Sequence, residues 1–306
     1  MVYILLLVGV LLLLIGGDFL VKSSVALASK LNVSPFLIGV TVVSFGTSAP
    51  ELIVSLNAAI QGNTGIAIGN VIGSNIANLG LVLGLTAVIK PMLFESKSYR
   101  LSWWVMLLSA LMFIGFAYDG VLDRTDGMFF IAGLLVFITL TIRYRESGFT
   151  DEDTGEAVKS KMIPVYFLLG AAGLYFGSEL LVDNAVVIAK SLGVSEFIIG
   201  ITIVALGTSL PEFVTSIMAI IKGQTSISIG NLIGSNIFNV FAVLGITSIV
   251  QPMIANSFLF RFDLPVMFGI SLLIGFFLFW SKKLSRVEGA ILFSAYLFYV
   301  LYSLIA

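Results

Sequence analysis

One polar segment occurs twice in the chain at a constant offset of 161 residues. Residues 39–51 read GVTVVSFGTSAPE, and residues 200–212 read GITIVALGTSLPE. Further along, residues 68–78 read IGNVIGSNIAN and residues 229–239 read IGNLIGSNIFN. The two copies align without a gap, so we predict a chain made of two related halves.

The segments around these polar motifs are strongly apolar. The 306 residues are 58% hydrophobic and 11% charged, and the mean hydropathy is +1.10. Soluble domains carry about 25% charged residues, and apolar runs of about 20 residues suit helices that cross a bilayer. Strand-length alternation, which is typical of outer-membrane barrels, is absent. The sequence therefore predicts an all-α polytopic membrane protein with the lipid bilayer as its partner.

We count about ten membrane-spanning helices, arranged as two halves of five with broken helices at an ion site. The N-terminal half covers 1–145, with its repeat at about 36–92, and a cytoplasmic linker covers 146–161. The C-terminal half covers 162–306, with its repeat at about 197–253. No basic residue precedes the first apolar run, so we do not expect a cleaved signal peptide.

The distribution of basic residues predicts which side of the membrane each connection faces. With ten spans, thirteen of the sixteen Lys and Arg residues fall on the side of the linker. The positive-inside rule makes that side cytoplasmic, so both termini are predicted to be extracellular in a protein of the cell membrane. Five spans separate the two copies, so they enter the membrane with opposite polarity. Inverted repeats of this kind are typical of transporters with a binding site near the midplane.

Both copies of the first motif predict a break in the middle of a membrane helix. Proline removes a helical hydrogen bond and glycine loosens the preceding turn. The first half-helix would then end in free carbonyl groups that can bind cations. Those carbonyls belong to residues around Ser44, Thr47, Ala205 and Thr208.

The same motif also fits a local role in helix capping. Ser48 with Glu51, and Ser209 with Glu212, match the S-x-x-E pattern of a capping box. Capping alone does not explain why such a pattern occurs twice within apolar spans, where a carboxylate is costly and usually functional. We therefore predict that both glutamates face an ion site.

The second motif contains a close-packing pattern and an amide-rich face. Its GxxxG pattern allows helices to approach closely and is formed by Gly69 and Gly73 and by Gly230 and Gly234. Pairs spaced i, i+4 share one helical face, namely Ser74 with Asn78 and Ser235 with Asn239. We assign packing or supporting roles to the remaining asparagines, Asn70, Asn75, Asn231 and Asn236.

The pooled side chains offer only oxygen ligands of the hard type. Calcium is bound by six to eight such oxygens, whereas softer metals take nitrogen or sulfur, and the chain has no His and no Cys. Sodium can use the same oxygens. The net charge of −1 indicates no nucleic-acid partner, and the sequence shows no sign of a cofactor or an obligate protein partner.

Taken together, the paired G-T-S-x-P-E and G-N-x-I-G-S-N motifs resemble the α-repeats of prokaryotic sodium/calcium exchangers in the Ca²⁺/cation antiporter superfamily. The resemblance covers both halves. It implies electrogenic exchange of about three Na⁺ inward for one Ca²⁺ outward by alternating access, without enzymatic activity. The implied ligands are Glu51, Glu212, Thr47, Ser48, Thr208, Ser209, Ser74, Asn78, Ser235, Asn239 and the backbone oxygens of Ser44 and Ala205.

Two departures from the family narrow this expectation. Potassium-dependent exchangers carry aspartate where this chain has Asn239, so the resemblance implies no potassium requirement. The large cytoplasmic regulatory domain of some members is replaced here by the short linker, so regulation by a separate calcium sensor is not expected.

Three other hypotheses about the function remain open. A proton-coupled Ca²⁺ antiporter or a passive cation channel could use the same oxygens. An intramembrane enzyme could use Glu51 and Glu212 as an acid–base pair, but no nucleophile accompanies them.

Overall fold

The structure is a computed structural model that describes residues 1–93, 97–144, 158–193, 205–255 and 259–305. Almost all of these residues are helical. Most of the predicted linker, 146–161, lies outside the described residues. The same is true of 194–204, which contain the beginning of the second repeat.

The first half begins with the long helix α1 and continues into the broken pair α2 and α3. The helices are α1 (Val2–Leu31), α2 (Pro35–Thr47), α3 (Ala49–Ile60), α4 (Thr64–Ile89), α5 (Lys97–Phe116) and α6 (Arg124–Arg143). Within α2, residues Gly39–Val43 form a π-helical turn.

The second half begins with an equally long helix. Its helices are α7 (Ile163–Ser191), α8 (Leu210–Ile221), α9 (Thr225–Val250), α10 (Leu259–Ser281) and α11 (Arg286–Ile305). A short helical turn, Ala205–Gly207, precedes α8. Matching π-helical turns interrupt α4 at Ala77–Val82 and α9 at Asn239–Leu244.

The membrane class predicted from composition is confirmed. Among the described residues, seven helices are long and apolar enough to cross a membrane. The pair α2 and α3, bent by 41°, makes an eighth if it is one span. The predicted count of ten stays a prediction, because the residues before α8 are not described and α11 is not among these seven helices.

Two short antiparallel sheets join the halves. The strands are β1 (Met92–Leu93), β2 (Val121–Leu122), β3 (Met253–Ile254) and β4 (Lys283–Leu284). β1 pairs with β4, and β2 pairs with β3. Each sheet therefore holds a connection of the first half beside a connection of the second half.

Glycines bring α1 and α7 into backbone contact. A Cβ atom on Gly16 would lie 2.7 Å from the backbone nitrogen of Leu174, and one on Gly170 would lie 2.8 Å from that of Leu20. No side chain fits at such distances, so the small residues allow the two long helices to pack closely.

An ion pair links α1 to the end of α8. Lys222 Nζ lies 2.6 Å from Asp18 Oδ1.

The second GxxxG pattern packs α9 against α2 of the other half. A Cβ atom on Gly230 would lie 2.6 Å from the carbonyl oxygen of Phe36, and one on Gly234 would lie 2.6 Å from that of Val40. Close helix approach is thus confirmed for this copy. The equivalent partner of the first copy, residues 197–201, lies outside the described residues.

Candidate functional site

The site is built around the break between α2 and α3. α2 ends at Thr47 and α3 begins at Ala49. Pro50 has no N–H group, so it cannot donate a hydrogen bond to the carbonyl of Gly46 four residues earlier. The predicted break is therefore confirmed in the first copy. In the second copy, the turn Ala205–Gly207 is likewise separated from α8.

Both glutamates lie in the first turn after the break and are buried. Glu51 and Glu212 each have a relative exposure of 0%. Such burial is very unfavourable for an ionised carboxylate unless a cation or hydrogen-bond donors compensate it. The positions of both side chains therefore suit a cation site.

The capping box predicted at the break is wrong. Ser48 and Ser209 occupy the N-cap positions of α3 and α8, but neither side chain makes a capping hydrogen bond. Ser48 Oγ instead donates to Oε1 of Glu212 at 3.1 Å. Packing between the halves has replaced the local partner by a distant one.

The two carboxylates have different surroundings. Glu212 Oε1 accepts hydrogen bonds from Ser48 Oγ and from Ser235 Oγ, the second at 3.2 Å. Glu212 Oε2 and both carboxylate oxygens of Glu51 are buried without a hydrogen-bond partner among the described residues. Three carboxyl oxygens are thus left with coordination capacity for a cation.

An asparagine in each repeat connects the helix break of the other repeat to the glutamate of its own. Asn231 Oδ1 accepts a hydrogen bond from Thr47 Oγ1 at 3.0 Å. Its Nδ2 donates to Ser216 Oγ at 3.2 Å and to the Glu212 carbonyl at 3.5 Å. This arrangement fixes the backbone on both sides of the site.

The first half contains the equivalent arrangement, with the roles of the two repeats exchanged. Thr208 Oγ1 donates to Asn70 Oδ1 at 3.2 Å. Asn70 Nδ2 donates to Ser55 Oγ at 3.0 Å and to the Glu51 carbonyl at 3.3 Å. The supporting role predicted for both asparagines is consistent with these contacts.

Ser55 and Ser216 are polar partners that the sequence analysis missed. Each is fully buried and lies four residues after a site glutamate, on the same helical face. The recurrence of this glutamate–serine pair in both copies was the signal that could have identified them.

Hydroxyl groups also meet across the two halves. Ser74 Oγ lies 3.3 Å from Thr208 Oγ1, and Ser235 Oγ lies 3.3 Å from Thr47 Oγ1. The structure therefore brings together the hydroxyls that the sequence predicted for the site.

For Ser44 and Ala205 the predicted ligands are the backbone oxygens. Ser44 Oγ donates its hydrogen to the Gly39 carbonyl at 2.6 Å. The Ser44 carbonyl accepts the N–H of Ser48 at 2.9 Å and also lies 3.4 Å from Thr47 Oγ1. Ala205 begins the short turn before α8, so its carbonyl holds the equivalent position.

The site amides and Ser209 complete the buried polar cluster. Asn78 has no hydrogen-bond partner for either amide atom among the described residues. Asn239 uses its Nδ2 in a bond to Asn75 Oδ1 at 3.1 Å, and its Oδ1 has no described partner. The Ser209 hydroxyl is likewise buried and unpartnered in the described part of the chain.

This donor set fits a hard cation. Its side-chain ligands are carboxylate, hydroxyl and amide oxygens, which suit Ca²⁺ and Na⁺. Nowhere do the described residues bring three or more His, Cys, Asp or Glu side chains together in a group that could hold a metal ion. The chemistry is therefore that of a hydroxyl- and amide-rich site with two carboxylates.

Comparisons with known proteins agree with this chemistry. The family described as "Sodium/calcium exchanger protein" matches residues 1–143 and 162–305. A putative antiporter, CaxA, from Alkalimonas amylolytica is 38% identical over 96% of this chain and 95% of its own. The sodium/calcium exchanger MaX1 of Methanosarcina acetivorans is 33% identical, with 96% of both chains covered.

A solved structure extends the likeness to the fold. The sodium–calcium exchanger NCX_Mj, soaked with Na⁺ and Ca²⁺, is 33% identical, with a TM-score of 0.85 and 96% of each chain covered. The likeness spans both halves and therefore includes both copies of the polar motif. The chain belongs to the sodium/calcium exchanger family and is a membrane antiporter rather than an enzyme.

Proposed function

We propose that this protein moves Na⁺ inward and Ca²⁺ outward across the cell membrane by alternating access at one buried site. The observation that carries the proposal is the pair of buried glutamates, Glu51 and Glu212, at matching helix breaks. Hydroxyl and amide oxygens from both halves surround them. A site made by two related halves can open towards either side when the halves change their relative position.

The charge of the site explains why the two ions compete. Two ionised glutamates supply a charge of about −2, which one Ca²⁺ balances. Several Na⁺ ions can occupy the same oxygens in its place. An exchange of about three Na⁺ for one Ca²⁺ moves one net positive charge per cycle, so the transport is electrogenic.

The proposed ligands are those implied by the motifs. The two glutamates are central, and the hydroxyl and amide groups surround them. The surrounding residues are Thr47, Ser48, Ser74, Asn78, Thr208, Ser209, Ser235 and Asn239, with the carbonyls of Ser44 and Ala205. The contacts that Glu212 makes with Ser48 and Ser235 support this grouping.

The two small sheets are compatible with the proposed count of ten spans. A strand pair joins residues at the same membrane surface, so an even number of spans must separate its strands. Ten spans place six between β1 and β4 and four between β2 and β3. The ion pair of Lys222 with Asp18, which also contacts Lys22, agrees with placing both lysines at the cytoplasmic end.

The deciding experiment is Ca²⁺ uptake into proteoliposomes loaded with Na⁺, with K⁺-loaded and Na⁺-free vesicles as controls. Uptake that requires internal Na⁺ and increases with an inside-positive potential would support electrogenic exchange. Equal uptake in all vesicles would identify a channel or a leak. Uptake driven only by a pH gradient would identify proton-coupled exchange.

A further inference from the structure

A chain of three asparagines runs behind the site, from α9 to α4 and back to α9. Asn75 Nδ2 lies 3.4 Å from the backbone carbonyl of Asn236, and Asn75 Oδ1 lies 3.1 Å from Asn239 Nδ2. All three residues are at most 2% exposed. The described environment therefore supplies few alternative partners for these amides.

One fixed acceptor determines the orientation of both amides. A backbone carbonyl can only accept a hydrogen bond, so the atom of Asn75 that faces Asn236 must be its donor, Nδ2. Asn75 then turns Oδ1 towards Asn239. Because that oxygen is also an acceptor, Asn239 must turn its Nδ2 towards Asn75.

The remaining amide atom of Asn239 is its oxygen. Oδ1 points away from Asn75 and has no described hydrogen-bond partner. Asn239 lies four residues after Ser235 on the same face of α9, and the Ser235 hydroxyl contacts Glu212 Oε1. The contact with Asn75 thus engages the amide nitrogen of Asn239 and leaves its oxygen free to coordinate a cation.

The equivalent residue of the second repeat does not act in this way. Asn236 Nδ2 donates to the carbonyl of Leu232 in its own helix at 2.7 Å. Both amide atoms of Asn78, the counterpart of Asn239, are unpartnered among the described residues. Among the described contacts, only the Asn239 amide is therefore held in a defined orientation.

We propose that Asn75 is a positioning residue that orients the Asn239 amide so that its oxygen, and not its NH₂ group, faces the transported cation. The inference rests on the proposed function, because it assumes that Asn239 is a ligand of Ca²⁺ or Na⁺. Without Asn75, the Asn239 amide is free to rotate, and its NH₂ group competes with the cation for the carboxylate oxygens.

The test replaces Asn75 by leucine, which has a similar volume and no hydrogen-bonding groups. We expect Asn75→Leu to raise the half-saturating Ca²⁺ concentration about three- to tenfold, the range expected for one lost hydrogen bond, while the maximal rate is retained. Asn236→Leu is the matched control, because it removes the equivalent amide and keeps the backbone carbonyl that Asn75 uses. It should change the half-saturating concentration less than about twofold.

A double-mutant cycle shows whether Asn75 acts through Asn239. In an Asn239→Ala background, adding Asn75→Leu should have almost no further effect on Ca²⁺ affinity, since coupled residues are not additive. Equal effects in both backgrounds, or no effect in the wild-type background, would overturn the proposal. If Asn75→Leu does not give a monodisperse protein, Asn75→Ser takes its place in the same cycle.

A second measurement separates this inference from the proposed function. The rise in melting temperature caused by Ca²⁺ reports binding by the purified protein without requiring transport. Wild-type protein that neither transports nor binds Ca²⁺ would contradict the proposed function itself. Wild-type protein that does so, with variants that behave additively, would contradict only the role of Asn75.

Discussion

Ser48 in the first half donates a hydrogen bond to Glu212 in the second half, with 3.1 Å between Oγ and Oε1. The reciprocal bond is not formed, because Ser209 Oγ and both carboxylate oxygens of Glu51 have no described partner. The two repeats thus use the same residues differently. The repeat symmetry of the sequence is broken at the centre of the site.

This asymmetry predicts different effects for the two serines. Ser48→Ala removes a hydrogen bond to a buried carboxylate, which contributes about 1.5–3 kcal/mol. In ion-free detergent solution we expect it to lower the melting temperature more than Ser209→Ala does. Thermal unfolding of both variants under the same conditions measures the difference, and equal decreases would contradict the asymmetric arrangement.

The two glutamates are predicted to be essential for transport. Glu51→Gln and Glu212→Gln keep the side-chain shape but remove the negative charge that balances Ca²⁺. We expect Na⁺-dependent Ca²⁺ uptake to fall to the level of protein-free vesicles. Size-exclusion chromatography checks that the variants fold, and normal exchange by a folded variant would remove that glutamate from the site.

Replacing Asn239 by aspartate is predicted to change ion selectivity. Asn75 presents Oδ1 to this position, so an ionised carboxylate would bring two acceptors together, while it adds negative charge to the site. We expect Asn239→Asp to alter the half-saturating concentrations of Na⁺ and Ca²⁺. Identical dependence on both ions would mean that Asn239 is not part of the site.

The contact between α9 and α2 predicts that Gly234 tolerates no larger residue. A Cβ atom there would lie 2.6 Å from the Val40 carbonyl and would also meet Ser44 Oγ. Overpacking of this kind costs about 1–3 kcal/mol, so we expect Gly234→Ala to lower both thermal stability and exchange. Gly115→Ala is the control, since Gly115 is exposed and has no described atom within 4 Å of its Cβ position. Equal effects of both variants would contradict the importance of this contact.

Most of the fold class and most of the site chemistry were predictable from the sequence. The membrane class follows from composition, and the break in α2 follows from Pro50, whose missing N–H is a covalent property. The residue types of the site were visible because they recur at one offset within apolar segments. The role of Ser55 and Ser216 was missed, because serine within a membrane helix is also common as a plain packing residue.

Only the tertiary structure decided which of these groups form hydrogen bonds with each other. Local spacing predicted that Ser48 caps its own helix, yet the packed halves bring Glu212, from 164 residues away, within its reach. In the same way, the Asn236 carbonyl determines how Asn75 and Asn239 are oriented. Covalent structure and hydrophobicity determine helices and their breaks locally, but hydrogen-bond partners between the halves depend on their packing. The sequence therefore determined the ligand types and the helix break, and the packing of the two halves decided the unequal roles of the two repeats.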